Sequence, residues 1–405
     1  MNDYIFDSLQ EEKQPESSVN LRPDCNIESI LTTGKSARAL GVIIIVLFIG
    51  ILLSFLVNFG VSAYLGSEVL VDSYYDGEEH ANIVFSDFAD TFYLSEAIRH
   101  NIVRVDYYLF RTLPTDSALL GRNDFLFPTY DEKSNYNYVA DYLGEIDLST
   151  EEINRYYTSV REITAAYNEL GAKIYFVIIP SSQTVYPERM PGYMGNISEE
   201  TRLKSVSAYF AEQGVTNFLD LTDSLMSAKD EGELYNNTED SLNSRGAYYA
   251  YLAVLDMLPK EATAQIRRID LADGDLVLHS TTGKELARAA TLENVIKNRT
   301  VSLSTDFVQK YQVLLRYDTY EMAFVKMQYK SELPEHPRIA FQFSSDWDRI
   351  IMIDYFSNTF GTAIYRTSLD FNTQVITKTD PSYVICFIHE RDLSVIADGS
   401  MLPKK

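Results

Sequence analysis

Three polar segments of the chain carry side chains that could do chemistry. They are Pro180-Ser-Ser-Gln183, the stretch 237–251 and Phe343-Ser-Ser-Asp-Trp347. A serine hydroxyl becomes a nucleophile when a base takes its proton, and Ser345 with His389 could form such a pair. Glu239 and Asp240 could act as acid and base, as carboxyl pairs do in glycosidases. Adjacent side chains rarely converge, so a solvated acidic turn is the simpler interpretation of that pair. A partly buried histidine at the end of a sheet is the simpler interpretation of His389.

Alternating strand and helix patterns surround these segments. A capping box of Ser149 and Glu152 starts a helix that is predicted to end at Gly171. The apolar run 172–179 after it is typical of a central parallel strand covered on both faces. Further helices are predicted at 198–213, with Ser198 as N-cap, at 246–258 and at 347–359. Further strands are predicted at 215–220, 338–343, 362–365 and 383–388.

This alternation predicts a three-layer α/β/α sandwich of the flavodoxin type with a mostly parallel sheet. In such sheets ligands bind at the carboxyl ends of the strands, where the three polar segments are expected to meet. The region 260–337 is less regular and is predicted to be an insertion or a cap.

One segment near the N-terminus has the composition of a membrane span. No charged residue occurs from Ala39 to Ser67, and residues 39–66 supply the roughly 20 apolar positions that a transmembrane helix needs. Basic residues precede the span and acidic residues come after it, which places the tail 1–38 in the cytoplasm by the positive-inside rule. We therefore predict a single-pass cell-membrane protein with a disordered cytoplasmic tail, a helical stalk at 67–118 and an extracellular domain at 119–400.

Composition excludes several classes of function. The formal net charge is −23, and so acidic a surface repels phosphate backbones and excludes nucleic acid as a partner. The two cysteines, Cys25 and Cys386, are predicted to lie on opposite sides of the membrane and cannot pair. The five histidines lack metal-ligand spacing, so neither a metal site nor another cofactor is expected.

Four blocks between about 115 and 400 resemble the AlgX/AlgJ-type SGNH hydrolase-like family, which includes the DHHW proteins and acts in polysaccharide O-acetylation. Gly121–Phe127 is similar to the family's opening Gly-Lys-Asp-Gly-Trp-Leu-Phe block. Val185–Pro191 resembles its Tyr-x-(Glu/Asp)-x-x-Pro block. Gly246–Tyr251 is similar to the segment directly after the DHHW motif, and Asp380 through Arg391 resembles the closing Glu-Arg block.

The resemblance implies a catalytic triad that this chain lacks. In the family an Asp and a His come from Thr-Asp-x-His-Trp, and the nucleophilic Ser comes from Gly-Asp-Ser-Phe. Here Glu239 replaces the Asp, Ser241 replaces the His and Leu242 replaces the Trp. Asp346 stands where the nucleophile belongs. Loss of the base and nucleophile of such a triad costs on the order of 10⁶ in rate.

The resemblance therefore implies a membrane-anchored SGNH-like protein linked to modification of cell-surface polysaccharide or cell wall. It would lack triad chemistry and would hold a glycan, or a membrane-bound O-acyltransferase partner, in the former cleft. Two alternatives stay open. One is an active O-acetyltransferase or esterase that uses Ser345 and His389, and the other is a structural envelope protein in which the cleft is filled.

Overall fold

The structure is a computed structural model. It describes residues 103–113, 115–264, 266–311, 313–317, 323–327, 337–360 and 362–403, and seven residues between 42 and 53. The chain divides into two units, residues 1–99 and 100–405, which are described separately.

The first unit contains the predicted transmembrane segment, 39–66, and nearly all of that segment lies outside the described residues. Val42, Ile45, Val46, 48–50 and Leu53 are described, and all seven are helical. Among the residues that the structure describes, no helix combines the length and the apolar character needed to cross a bilayer. The predicted tail, 1–38, and most of the predicted stalk also lie outside the described residues.

The second unit is built around a sheet in which seven of its described strands pair. The strands of this unit are β1 (Ala118–Leu120), β2 (Leu126–Pro128), β3 (Tyr130–Asp131), β4 (Tyr136–Asn137), β5 (Lys173–Ile179), β6 (Phe218–Asp220), β7 (Leu276–Thr281), β8 (Asn298–Leu303), β9 (Val313–Tyr317), β10 (Ala323–Met327), β11 (Arg338–Phe343), β12 (Thr362–Arg366) and β13 (Tyr383–His389). The sheet order is β6-β5-β13-β11-β12-β10-β9. The first five strands are parallel to one another, and β10 is antiparallel to both β12 and β9.

Helices cover both faces of this sheet. The α-helices described in this unit are α1 (Tyr138–Tyr142), α2 (Thr150–Glu169), α3 (Ser182–Val185), α4 (Arg202–Glu212), α5 (Thr222–Ser227), α6 (Ser244–Met257), α7 (Lys260–Thr263), α8 (Glu285–Ala289), α9 (Thr305–Lys310), α10 (Asp346–Phe356) and α11 (Thr373–Thr379). The core on one face includes buried residues of α6 and α10, and the core on the other includes buried residues of α2 and α4. The predicted α/β/α fold with a mostly parallel sheet is confirmed.

The apolar run of β5 shows why this strand is central. Ile174, Phe176 and Ile178 belong to one core, whereas Val177 and Ile179 belong to the other. Because side chains alternate across a strand, a run that is apolar at every position buries both of its faces. The register pairs Ile179 with His389, so the last residues of β5 and β13 lie side by side.

The predicted ends of α2 are confirmed, whereas the predicted start of α4 is wrong. The capping box of Ser149 and Glu152 is present, and Gly171, with φ of 82°, comes directly after the C-cap of α2. The predicted N-cap Ser198 is wrong. Its hydroxyl accepts the N–H of Glu200 within a turn, and α4 is capped by Thr201, which accepts the N–H of Lys204.

Within 260–337 the described residues form two different arrangements. Strands β7 and β8 pair as a separate antiparallel hairpin, and α8 lies between them in sequence. Strands β9 and β10 instead extend the main sheet beyond β12. The limits of an insertion or cap stay a prediction.

Candidate functional site

The candidate site lies where β5, β11 and β13 end side by side. Polar segments come after all three strands: 180–184 after β5, 344–348 after β11 and 389–391 after β13. The turn 235–243 joins them, because the Tyr235 hydroxyl donates to the carbonyl of Pro180 and the Trp347 indole N–H donates to the carbonyl of Leu242. The meeting of the three polar segments is a consequence of the parallel arrangement of the strands.

Two features of the local sequence hold the turn 235–243 in place. Asn243 caps α6 by accepting the N–H groups of Arg245 and Gly246. A Cβ atom at Gly246 would lie 2.2 Å from the carbonyl oxygen of Leu234, so only glycine allows this close approach. The start of α6 is thereby fixed against the strand-like residues that precede the turn.

The three family triad positions do not assemble into a triad. The Ser241 hydroxyl accepts a hydrogen bond from the Asn236 amide at 2.9 Å and lies beside the Glu239 carboxylate. Asp346 is far more exposed, with 70% of its side chain accessible. Its Oδ1 accepts from Thr367 and Arg349, and these hydrogen bonds lower the pKa of its carboxyl. Among the described contacts, no hydrogen bond links Asp346 to Glu239 or Ser241.

Burial separates the two acids of the turn. The pKa of Glu239 is raised by its partial burial, and Lys284 opposes that rise. Asp240 is the more enclosed of the two, with 5% of its side chain exposed. Its Oδ1 accepts the N–H of Ser182 at 2.7 Å, and its Oδ2 lies 3.6 Å from Arg391 Nη1. The interpretation of this turn as solvated is therefore wrong for Asp240, which ties the turn to the ends of β5 and β13.

His389 is fully buried and has a partner that the sequence did not suggest. Its Nε2 lies 2.7 Å from Asp348 Oδ2, and the two side chains are 1% and 2% exposed. Its backbone N–H donates to the Ser344 hydroxyl at 3.1 Å. Ser345 is the N-cap residue of α10, and no hydrogen bond joins its hydroxyl to His389 among the described residues. The structure thus pairs His389 with Asp348 and not with Ser345.

Asp348 had a signal in the sequence. It shares one face of α10 with Ile351, Met352 and Tyr355, at the i, i+3, i+4 and i+7 spacing of a buried stripe. A carboxylate on such a stripe needs a buried partner, because an isolated buried charge is very costly. The only imidazole at the neighbouring strand end is that of His389 among the described residues.

A second buried acid, Glu390, holds the loop after β5. Its Oε2 accepts the N–H of Ser181 at 2.6 Å and the hydroxyl of Thr184 at 2.9 Å. Burial raises its pKa to about 7, and the nearby Asp141 adds to the rise. Arg202 donates to the backbone carbonyl of Glu390 at 2.8 Å, so α4 is connected to the same edge.

Buried polar atoms without a hydrogen-bond partner concentrate at this edge among the described residues. They include Ser181 Oγ, Ser182 Oγ, Gln183 Oε1, Asn236 Oδ1, Glu239 Oε1, Asp348 Oδ1 and His389 Nδ1. Buried polar groups are usually satisfied by protein, water or ligand, so such a concentration is typical of a site. No group of three potential metal ligands occurs in the described part of the chain.

The site therefore has two parts. We call the enclosed ionisable residues Asp240, Asp348, His389 and Glu390 the floor. We call Asp346, Trp347, Arg349 and Ile350, on the outer side of α10, the rim. The Trp347–Leu242 hydrogen bond of 3.0 Å connects the rim with the turn 235–243.

Part of the chain matches a family of known proteins. The family described as "SGNH hydrolase-like domain, acetyltransferase AlgX" matches residues 119–318. The predicted resemblance to the AlgX/AlgJ-type SGNH hydrolase-like family is thereby confirmed for these residues. No curated protein sequence matches it.

Three solved structures are similar to the chain at low identity. The O-acetyltransferase domain of Pseudomonas putida AlgJ is 12% identical, with 68% of this chain and 92% of that chain covered and a TM-score of 0.44. Bacillus cereus PatB1 with a sulfonyl adduct is 11% identical, with 70% and 96% covered and a TM-score of 0.47. Pseudomonas aeruginosa AlgX is 14% identical, with 71% and 68% covered and a TM-score of 0.44.

Proposed function

We propose that this chain is a membrane-anchored extracellular member of the family that binds glycan during O-acetylation-type modification of cell-surface polysaccharide or cell wall, without triad chemistry of its own. The observation that carries the proposal is the exposure of Asp346 and the hydrogen bonds that its carboxylate accepts. At the position that the resemblance assigns to the nucleophile, this chain has an exposed, ionised carboxylate held by Arg349 and Thr367. A carboxylate can serve as a nucleophile, but no imidazole stands at Ser241 to complete the family's relay.

The membrane anchor and its orientation are part of the proposal. They rest on the uncharged run of 39–66 and on the basic residues that precede it. An anchored domain next to the membrane surface would be well placed to hand glycan to a membrane-bound O-acyltransferase, which is the partner that we propose. Protease added to intact cells should degrade the C-terminal domain, whereas protection of that domain would contradict the orientation.

Hydrolysis by the full-length protein in detergent tests the absence of triad chemistry. With 4-nitrophenyl acetate, we expect release of nitrophenol at the rate of buffer with detergent alone. Ser345→Ala should behave identically. Turnover that is present in the wild-type protein and lost in Ser345→Ala would show that the chain is an enzyme and would overturn the proposal.

The active-enzyme alternative has one observation in its favour. Asp348 and His389, 2.7 Å apart, supply two of the three groups that a serine hydrolase needs, and Ser344 contacts the His389 backbone. A serine activated in this way would react with a fluorophosphonate probe. We expect no labelling, and labelling that disappears in Ser344→Ala or Ser345→Ala would favour this alternative.

The structural alternative also rests on a specific contact. Leu242 is fully buried and its carbonyl accepts the Trp347 indole N–H, so this part of the former cleft is bridged. A purely structural protein would bind no glycan, so a direct measurement of glycan binding separates it from the proposed function.

A further inference from the structure

We propose that Trp347, the Asp346 carboxylate and Ile350 form a subsite for an uncharged glycan chain on the outer surface of α10. The inference rests on the proposed function and deepens it, because it assigns the glycan to named residues of the rim. It places the glycan on the outer side of α10, outside the part of the cleft that the Trp347–Leu242 hydrogen bond bridges, and Asp346 is the one residue that the subsite shares with the predicted triad positions.

The Trp347 ring is both fixed and accessible. Its indole N–H donates to the Leu242 carbonyl at 3.0 Å, and this hydrogen bond sets the orientation of the ring. The residue is nevertheless 37% exposed. A partly exposed aromatic ring whose polar end is bonded offers a flat apolar surface, on which the C–H face of a pyranose can pack. Little conformational entropy is lost on binding to a ring that is already held.

Asp346 places a fixed acceptor at the same end of α10 as this ring. Thr367 donates to Oδ1 at 2.6 Å, and Arg349 donates to the same oxygen at 3.0 and 3.2 Å. The other oxygen, Oδ2, receives none of these hydrogen bonds. Because the lowered pKa keeps the group ionised, Oδ2 can accept strong hydrogen bonds from sugar hydroxyls.

Ile350 extends the apolar surface along the helix. It lies three residues after Trp347 and four after Asp346, so the three side chains are neighbours on the surface of α10. It is 52% exposed, which is high for an isoleucine in a folded domain. The subsite thus combines an aromatic ring, a second apolar side chain and a charged acceptor. This combination suits an extended sugar chain better than a compact polar ligand.

The negative charge of the chain favours an uncharged glycan over an anionic one. The formal net charge is −23, and Asp346 adds a local carboxylate at the subsite. A polyanionic polysaccharide would be repelled by both, whereas an uncharged chain meets no such penalty and supplies hydroxyl donors. We therefore assign the subsite to uncharged glycan.

The test uses the full-length protein in detergent and two probes of equal length. These are chitohexaose, which is uncharged, and hexagalacturonate, which is anionic. Trp347 is the only tryptophan of the chain, so any saturable change in intrinsic tryptophan fluorescence reports on this site. We expect such a change with chitohexaose and none with hexagalacturonate.

Calorimetric titration of variants identifies the residues that bind. Trp347→Ala should weaken chitohexaose binding at least about tenfold, because the stacking surface is lost. Asp346→Asn, which keeps the shape of the side chain, should weaken it about threefold to tenfold because a charge-assisted hydrogen bond becomes a neutral one. Tyr193→Ala removes an aromatic ring that is 78% exposed elsewhere and should leave the affinity unchanged.

The outcomes distinguish an error in the location of the subsite from an error in the proposal that the chain binds glycan. Unchanged chitohexaose affinity in Trp347→Ala, with circular dichroism showing a folded protein, would overturn the subsite while glycan binding by the chain stands. Binding of hexagalacturonate alone would overturn the assignment to uncharged glycan. If the wild-type protein binds neither probe, the subsite is wrong and the structural alternative is favoured.

Discussion

Two aspartates two residues apart on α10 divide between the floor and the rim. Asp348 is 2% exposed at its side chain and lies 2.7 Å from His389, whereas Asp346 is 70% exposed and accepts from Arg349 and Thr367. A charge on the floor has no water to solvate it and depends on its partner. A charge on the rim is solvated and remains available to a ligand.

This difference indicates that the floor holds chain segments together, whereas the rim is accessible to a ligand. On the floor, the ionisable groups hold chain segments together: Asp240 joins the turn 235–243 to Ser182, and Glu390 joins β13 to the loop after β5. On the rim, the described side-chain hydrogen bonds of Asp346 and Arg349 join them to each other and to Thr367. We therefore expect floor substitutions to change stability and rim substitutions to change binding.

The largest effect is expected for His389→Leu. It leaves Asp348 buried without a partner, which should lower the free energy of unfolding by about 3–5 kcal/mol in urea titrations. The control is His279→Leu, at an exposed histidine of β7, which should change it by less than about 0.5 kcal/mol. Equal effects of the two substitutions would contradict the distinction between floor and rim.

The next effect concerns pH and Glu390. Its pKa in the folded state is about 7, above an ordinary value of 4.5, so the folded protein holds a proton that the unfolded chain releases. The associated stability is complete below about pH 4.5 and is lost as pH rises to about 7, by about 3 kcal/mol.

Urea unfolding of the wild type and Glu390→Gln at several pH values measures this contribution. The difference between the two proteins should change across the window from about pH 4.5 to 7, because the Gln variant cannot release the proton. Burial also raises the pKa of Asp354, to about 6, but its contribution is common to both proteins and cancels. A difference that is independent of pH would show that Glu390 does not titrate in this range.

A smaller effect is expected for Ser241→Ala. Removing the hydroxyl takes away the 2.9 Å acceptor of the buried Asn236 amide, which should lower the free energy of unfolding by about 1 kcal/mol. Ser280→Ala, at an exposed serine of β7, is the matched control and should have no measurable effect. A loss of acetyl esterase activity in Ser241→Ala would instead reveal a catalytic role.

The smallest stability effect is expected for Asp346→Asn. Its exposed pair with Arg349 should contribute less than about 0.5 kcal/mol, and added salt should reduce that further. Asp348→Asn, on the same helix, is the informative comparison because it weakens the buried pair. A larger loss of stability in Asp346→Asn than in Asp348→Asn would show that the exposed carboxylate, and not the buried one, stabilises the fold.

The central strands and the capped helix α2 could be predicted from sequence because their signals are local. An apolar run that ends at Pro180 and a capping box at Ser149 each determine structure within a few residues. The assignment of Glu239, Ser241 and Asp346 to the family's triad positions came from the order of the surrounding motif blocks and stays a prediction. The start of α4 was missed because Ser198 and Thr201 are both good caps, and only the fold selects between them.

The sequence by itself determined the chain order of the central parallel strands and of the main helices between them, and the edge of the sheet at which their polar segments meet. Only the tertiary structure decided that His389 pairs with Asp348, that Asp240 is enclosed and that Trp347 bonds to Leu242. Each of these contacts joins residues that are far apart in the chain, and each depends on how a helix packs against a neighbouring strand or turn. Local patterns encode periodicity and caps, whereas the partner of a buried charge is chosen by packing, where its energy depends on distance and burial.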